Sequence, residues 1–185
     1  MASHLVHTLS DSDRWRLRPH FKSLGTQDRR LRFGAVLNDA AIDRYVDHID
    51  FDLDAVLAVA CGEDMPLAVV HVAPVGEGAE LGLSVLAPQR GRGMGGALFA
   101  AAAALARERG FRRIFMHCLR ENRAILALAR RNAMRLEFKG ADSTAVLALA
   151  DPAVAARREG RLPAAGLQGV PASRRIPGAQ PPRLA

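Results

Sequence analysis

Cysteine is nearly absent from this chain. Cys61 and Cys118 are its whole complement, and two thiols without metal-ligand spacing support neither a disulfide framework nor a zinc site. Both are expected as buried, reduced side chains. No apolar run approaches the roughly 20 residues that a membrane helix needs; the longest lies in the alanine-rich stretch ending at Ala106. The opening Met-Ala-Ser-His has no basic segment leading into an apolar one, so export is not indicated and the cytoplasm is the expected location. Lysine is equally scarce: of 26 Lys and Arg residues only Lys22 and Lys139 are lysine, and Tyr45 is the single tyrosine.

What is present fits one globular domain. A chain of 185 residues, 49% hydrophobic and 24% charged, can bury its own core but hardly two. The net charge of +7 is uneven, because residues from 156 onward carry six arginines against Glu159 and hold +5 of it. The same stretch contains Pro163, Pro171, Pro177, Pro181 and Pro182, a composition too poor in core-forming residues to offset ordering entropy. The expected division is a domain over residues 1–155 and a disordered Pro/Arg-rich tail over 156–185. Basic charge confined to such a tail, without interleaved aromatics, is no argument for nucleic-acid binding.

Residues 6–18 alternate in polarity around Ser10-Asp11-Ser12-Asp13, which predicts a strand pair or a strand with a tight lead-in, Trp15 and Leu17 facing the core. After Pro19, residues 20–33 predict one or two short helices. Asn38 or Asp39 caps a helix to about His48, with Ile42, Tyr45, Val46 and Ile49 at three- and four-residue spacing. Residues 55–61 and 67–72 flank Gly62-Glu63-Asp64-Met65-Pro66 as an antiparallel hairpin, and 80–86 form the next strand. An alanine-rich helix runs from about Gly93 to Arg109 and stops at Gly110. Residues 112–118 are strand, 122–131 helix, and 135–139 with 144–149 a closing strand pair. This succession predicts an α+β sheet with a parallel crossover at its middle.

The chemistry-bearing feature is the turn Arg90-Gly91-Arg92-Gly93-Met94-Gly95-Gly96 between a strand and a long helix. Glycines bring backbone N–H groups close to one anion, and the helix start adds unpaired N–H groups and the positive end of its dipole. Arg90 and Arg92 add charge. A Walker loop is excluded because the helix opens on Gly95-Gly96-Ala97, with neither lysine nor hydroxyl. A dinucleotide fingerprint matches in letters, but the acidic ribose partner expected about 20 residues later is missing. A flexible linker would not sit between a strand and a helix of this length.

This turn resembles the acyl-CoA loop Arg/Gln-x-x-Gly-x-Gly/Ala of the GNAT acyltransferases. The helix beginning Glu121-Asn122-Arg123-Ala124 is similar to the family's helix after the fifth strand, and the sheet order from Val6 to Leu149 agrees. Ala79-Glu80-Leu81-Gly82-Leu83-Ser84-Val85 and Phe115-Met116-His117-Cys118-Leu119-Arg120-Glu121-Asn122 look like the bacterial protein-lysine acetyltransferase branch. The resemblance implies a mostly antiparallel twisted sheet with a central parallel splay and flanking helices. It implies acetyl-CoA as co-substrate, with its pantetheine arm along Leu83, Ser84, Val85 and Leu86. The pyrophosphate would lie on Arg90, Gly91, Arg92, Gly93, Met94, Gly95 and Gly96, and Asn122 would contact the CoA arm. The acceptor would be an amine, on a small molecule or a protein lysine, and a homodimer stays open.

Acetyl transfer needs a neutral amine at pH 7, although free amines have pKa about 10, so a general base is required. By the same resemblance Glu80 is the candidate, since partial burial raises a carboxyl toward the working range; the alternative is a solvated strand-end carboxylate. His71 and His117 rank below it. The family tyrosine that protonates the departing thiolate corresponds to Ala129. A thiol of pKa about 8.5 can leave unaided. Cys118 as an acetyl carrier is set against inert packing. The rival reading is an idle acetyl-CoA-binding sensor.

Overall fold

The middle strands of this protein read as unbroken apolar runs instead of alternating ones, as expected where both sheet faces are covered. The computed structural model describes residues 4–60 and 65–149. In chain order its elements are β1 (Val6–Leu9), α1 (Arg14–Lys22), α2 (Thr26–Phe33), α3 (Asp39–Asp47), β2 (Ala55–Val59), β3 (Ala68–Val75), β4 (Gly78–Val85), α4 (Met94–Glu108), β5 (Arg113–Leu119), α5 (Arg123–Arg131), β6 (Arg135–Lys139) and β7 (Asp142–Ala148). All five residues of β2 and the first six of β3 are buried. Alternate residues serve opposite layers: Leu57, Val59, Val70 and Val72 join Leu98, Phe99 and Ala102 of α4, while Val56, Ala58 and Val69 join Leu17, Phe21, Ile42 and Tyr45 of α1 and α3.

The seven strands form one sheet in the order β1-β2-β3-β4-β5-β7-β6. Every pairing is antiparallel except β4 with β5. That parallel pairing covers only Gly78 to Glu80 against Arg113 to Phe115, and the strands then part. From Leu81 to Val85, β4 keeps β3 on one side and, among the described residues, has no strand on the other. The predicted mixed sheet with a central parallel splay is therefore present.

Local signals place the helices. The Asn38 side chain accepts the Ala41 N–H at 2.9 Å, so Asn38 is the cap, and Ile42, Tyr45, Val46 and Ile49 are all buried. α4 is capped at its start by Gly93 and followed by Gly110, both at positive φ.

The N-terminal region differs from expectation. Residues after Leu9 turn through a short 3-10 segment into α1, which runs through Pro19 instead of beginning beyond it. Trp15 is 62% exposed whereas Leu17 is fully buried. Residues two apart share a face of a strand but lie about 200° apart around a helix, so the helix puts one in and the other out. Burial of Leu17, His20 and Phe21 outweighs the hydrogen bond lost at Pro19. The 156–185 tail, Cys61 and residues 62–64 lie outside the described residues.

Candidate functional site

The parting of β4 and β5 opens a cleft of about 560 Å³. Leu83, Ser84 and Val85 of β4 form one wall, and Asn122, Ile125, Leu128, Arg131 and Asn132 at α5 form the other. Leu31 and Arg32 of α2 line it as well, and the turn from Gln89 to Gly96 closes one end. α2 is tied to both rims. Asp28 bonds Arg90 of the turn at 2.7 Å, while Gln27, at 3.1 Å, and Arg30 both bond Glu121 before α5.

The turn is built as an anion cradle. Gly91 and Gly93 have φ of +78° and +88°, values that L side chains rarely adopt. The first bond of α4 is from the Ala97 N–H to the Gly93 carbonyl, so the N–H groups of Met94, Gly95 and Gly96 precede the helical ladder. Gly95 lies against β4: a Cβ there would stand 3.7 Å from Leu83 Cδ2. Arg90 also donates through Nε to the Val85 carbonyl at 3.2 Å. Two of the predicted residues are placed differently. Arg92 is exposed and its carbonyl accepts from His4 Nε2 at 2.6 Å. Leu86 is buried with the α1–α3 layer, its N–H bonded to the Leu67 carbonyl; neither lines the cleft.

Asn122 lines the cleft but its amide is already engaged. Its Oδ1 accepts the Ile125 N–H and its Nδ2 donates to the Leu31 carbonyl at 3.4 Å, joining the start of α5 to α2. Ala129 is buried in the core and does not line the cleft, and the residues of α5 that do, Ile125 and Leu128 among them, carry no hydroxyl. Burial, with the Asp142 charge adding to it, pushes the Cys118 thiol up to about 11. Its thiolate is scarce near pH 7, which argues against an acetyl-carrier role.

Glu80 is buried, at 6% exposure, on the last residue of β4 that pairs with β5. By strand alternation it shares the α1–α3 face with Gly82 and Ser84. His71, opposite Gly82, has both ring nitrogens bonded: Nδ1 accepts from the Tyr45 hydroxyl at 2.8 Å and Nε2 donates to Asp54 at 2.9 Å. His117 is exposed on β5, 3.1 Å from the Thr144 hydroxyl and with its ring 5.3 Å from that of Phe115. Burial raises the Tyr45 phenol. The nearby Arg32 charge opposes that, and the Asp54 and Glu80 carboxylates reinforce it.

Ser84 donates to Nε2 of fully buried His20 at 2.8 Å, and His20 Nδ1 donates to the Pro66 carbonyl at 2.7 Å. A second proton on this ring would reverse the Ser84 bond in a place closed to water. Burial chiefly, with the Pro66 bond opposing and the Arg32 charge adding, holds the imidazole down to about 4 from its usual 6.5. The unfolded chain therefore binds the extra proton over that interval. Stability is complete above about pH 6.5 and is lost as pH falls toward about 4, at up to about 1.4 kcal/mol per pH unit. Denaturant titrations across this range should show that slope, and His20→Gln should reduce it by up to one proton; an unchanged slope would show that His20 is solvated.

The sequence marks His71 only as a lower-ranked base and does not single out Arg32, Tyr45 or Asp54 as functional. The available signal was Gly82, since a glycine inside a strand marks close approach by another group.

Comparison with known proteins agrees with this architecture. The Acetyltransferase (GNAT) family matches residues 13–133. Similar solved structures include the GNAT domain of S. lividans PAT, with 24% identity, TM-score 0.68 and coverage of 78% of this chain and 89% of that one. The ribosomal-protein-alanine N-acetyltransferase of Brucella melitensis has 17% identity, TM-score 0.61 and coverage of 78% and 99%. The PaiA N-acetyltransferase of Thermoplasma acidophilum, solved in complex with coenzyme A, has 13% identity, TM-score 0.61 and coverage of 80% and 100%. No curated protein sequence matches the chain. With the family covering most of the described fold, from α1 to the end of α5, this chain belongs to the GNAT acetyltransferases.

Proposed function

We propose that this protein moves the acetyl group of acetyl-CoA to a primary amine, with a protein lysine as the acceptor to which the β4 and β5 motifs point. The observation that carries the reading is the continuity of the cleft with the glycine turn: an unpartnered stretch of β4 leads straight into backbone N–H groups at the start of α4. GNAT acetyltransferases use acetyl-CoA, and the residues fit it. Positive φ at Gly91 and Gly93, with open space about Gly91 and only His4 Nε2 near a Cβ at Gly93, leaves room for phosphates at the backbone. The free edge of Leu83 to Val85 offers main-chain groups to an extended arm. When bound, acetyl-CoA supplies the acyl group in activated form as a thioester.

The chain's own residues would do the rest. Gly93, Met94, Gly95 and Gly96 present N–H groups to the pyrophosphate, and Arg90 adds charge once it exchanges Asp28 for phosphate. Leu83, Ile125 and Leu128 exclude water along the arm. Glu80, where the strands part, takes the proton of the incoming amine directly or through water. The hydroxyl-free face of α5 favours a second reading, an acetyl-CoA-binding module without turnover. The two separate in one experiment that follows CoA release from acetyl-CoA over a panel of lysine peptides, polyamines and amino acids, beside calorimetric binding. Transfer to at least one amine is expected. Binding without transfer to any would establish the second reading, and absence of binding would overturn both.

A further inference from the structure

Gly82 is a glycine whose backbone does not require one. Its φ lies outside the left-handed region, yet a Cβ built on it would stand 2.6 Å from Cζ and 2.7 Å from Nη1 of Arg32. The missing side chain makes room for a guanidinium laid on the β4 backbone. Arg32 lies 4.8 Å from the Phe33 ring centroid and 5.5 Å from that of Tyr45, and it lines the cleft. Its Nε is buried without a hydrogen-bond partner.

The group is held by a chain of bonds with one direction. Nη2 donates to the Tyr45 oxygen at 2.8 Å, the Tyr45 hydroxyl to His71 Nδ1, and His71 Nε2 to Asp54. With His71 neutral, a guanidinium that only donates and a carboxylate that only accepts leave the intervening protons one consistent arrangement. The chain fixes the orientation of Arg32 while its terminal carboxylate stays two side chains away. Arg32 thus keeps its charge at the cleft, beside Gly82 and on the same β4 face as Glu80, which is two residues or roughly 7 Å along the strand.

We propose that Arg32 reads the acceptor: it receives a carboxylate that the acceptor can bring to within roughly 7 Å of the amine presented to Glu80. This rests on the acetyl-transfer reading of the cleft. A guanidinium matches a carboxylate with paired donors, and its charge disfavours the ammonium form of the neighbouring amine. Tyr45, His71 and Asp54 are positioning residues. Free amino acids and lysines beside an acidic residue in a peptide both carry this chemistry.

The test compares matched acceptors. β-Alanine is set against its amide, and a Lys-Glu peptide against its Lys-Gln counterpart, for the wild type, Arg32→Gln and Gly82→Ala. Gly82→Ala leaves Arg32 in the chain and meets only the far end of a flexible side chain, so it tests the idea even if Arg32→Gln folds poorly. Calorimetric binding of N-acetyl-β-alanine and of the acetylated peptides with CoA gives a readout free of turnover. The wild type should favour one carboxylate member by about tenfold in kcat/KM, a preference lost in both variants. The pair that shows it identifies the source. Equal turnover within both pairs, or a preference that survives both substitutions, overturns the role of Arg32 and leaves acetyl transfer standing. Binding that depends on Arg32 without turnover of any amine sinks the transfer reading and keeps the anion site; neither binding nor turnover removes both.

Discussion

Glu80→Gln is expected to lower turnover by roughly 10²-fold or more while acetyl-CoA affinity changes little, since general-base contributions are of that order. The substitution keeps the shape of a side chain buried where β4 leaves β5 and removes its ability to hold a proton. Glu80 does not line the part of the cleft assigned to the CoA arm, which is why rate and affinity should separate. Near-full turnover by a folded Glu80→Gln protein would release Glu80 from the role. The next candidate is then His117, which is exposed on β5, ahead of His71, whose ring nitrogens are both bonded.

The second large effect belongs to the turn. Gly93→Val should weaken acetyl-CoA binding by at least about tenfold, or about 1.4 kcal/mol. At φ of +88° an L side chain costs about 1–2 kcal/mol, and more when β-branched. The nearest atom to a Cβ there is His4 Nε2 at 3.8 Å, so the penalty falls on the turn's conformation and not on core packing. The fold should survive while the N–H groups move out of line. Calorimetry that finds wild-type affinity in a folded Gly93→Val protein would mean that this turn is not the phosphate cradle.

The glycine turn, the Asn38 cap, the stop at Gly110 and the strands around α4 were legible in the sequence because each depends on neighbouring residues. Periodicity and the steric needs of glycine act within a few positions. Around Trp15 and Leu17 the same logic failed, since two apolar residues at two-residue spacing read as one face of a strand, and the helix that the core imposes there turns Trp15 outward. The site was legible only in part. Glycine spacing located the turn, and the family resemblance pointed to Leu83 to Val85, but the bonds that hold Arg32 join residues 32, 45, 71 and 54 from four segments. No local pattern announces such a chain. The commitment of Ser84 to His20 was hidden for the same reason, the partners lying 64 positions apart in the sequence.

The short parallel pairing of β4 with β5 makes the sheet two plates with a seam. Three residue pairs join the plates directly, and α2 laces them from outside through Asp28 to Arg90 and through Gln27 and Arg30 to Glu121. Arg30 and Glu121 are 41% and 50% exposed, and pairs so placed contribute little in water and weaken further as salt rises. The apolar layers on either side are indifferent to such screening. At the seam where a ligand must enter, the stitches from α2 to Glu121 are thereby the ones that salt loosens, while the apolar core shared by both plates holds the cloth together.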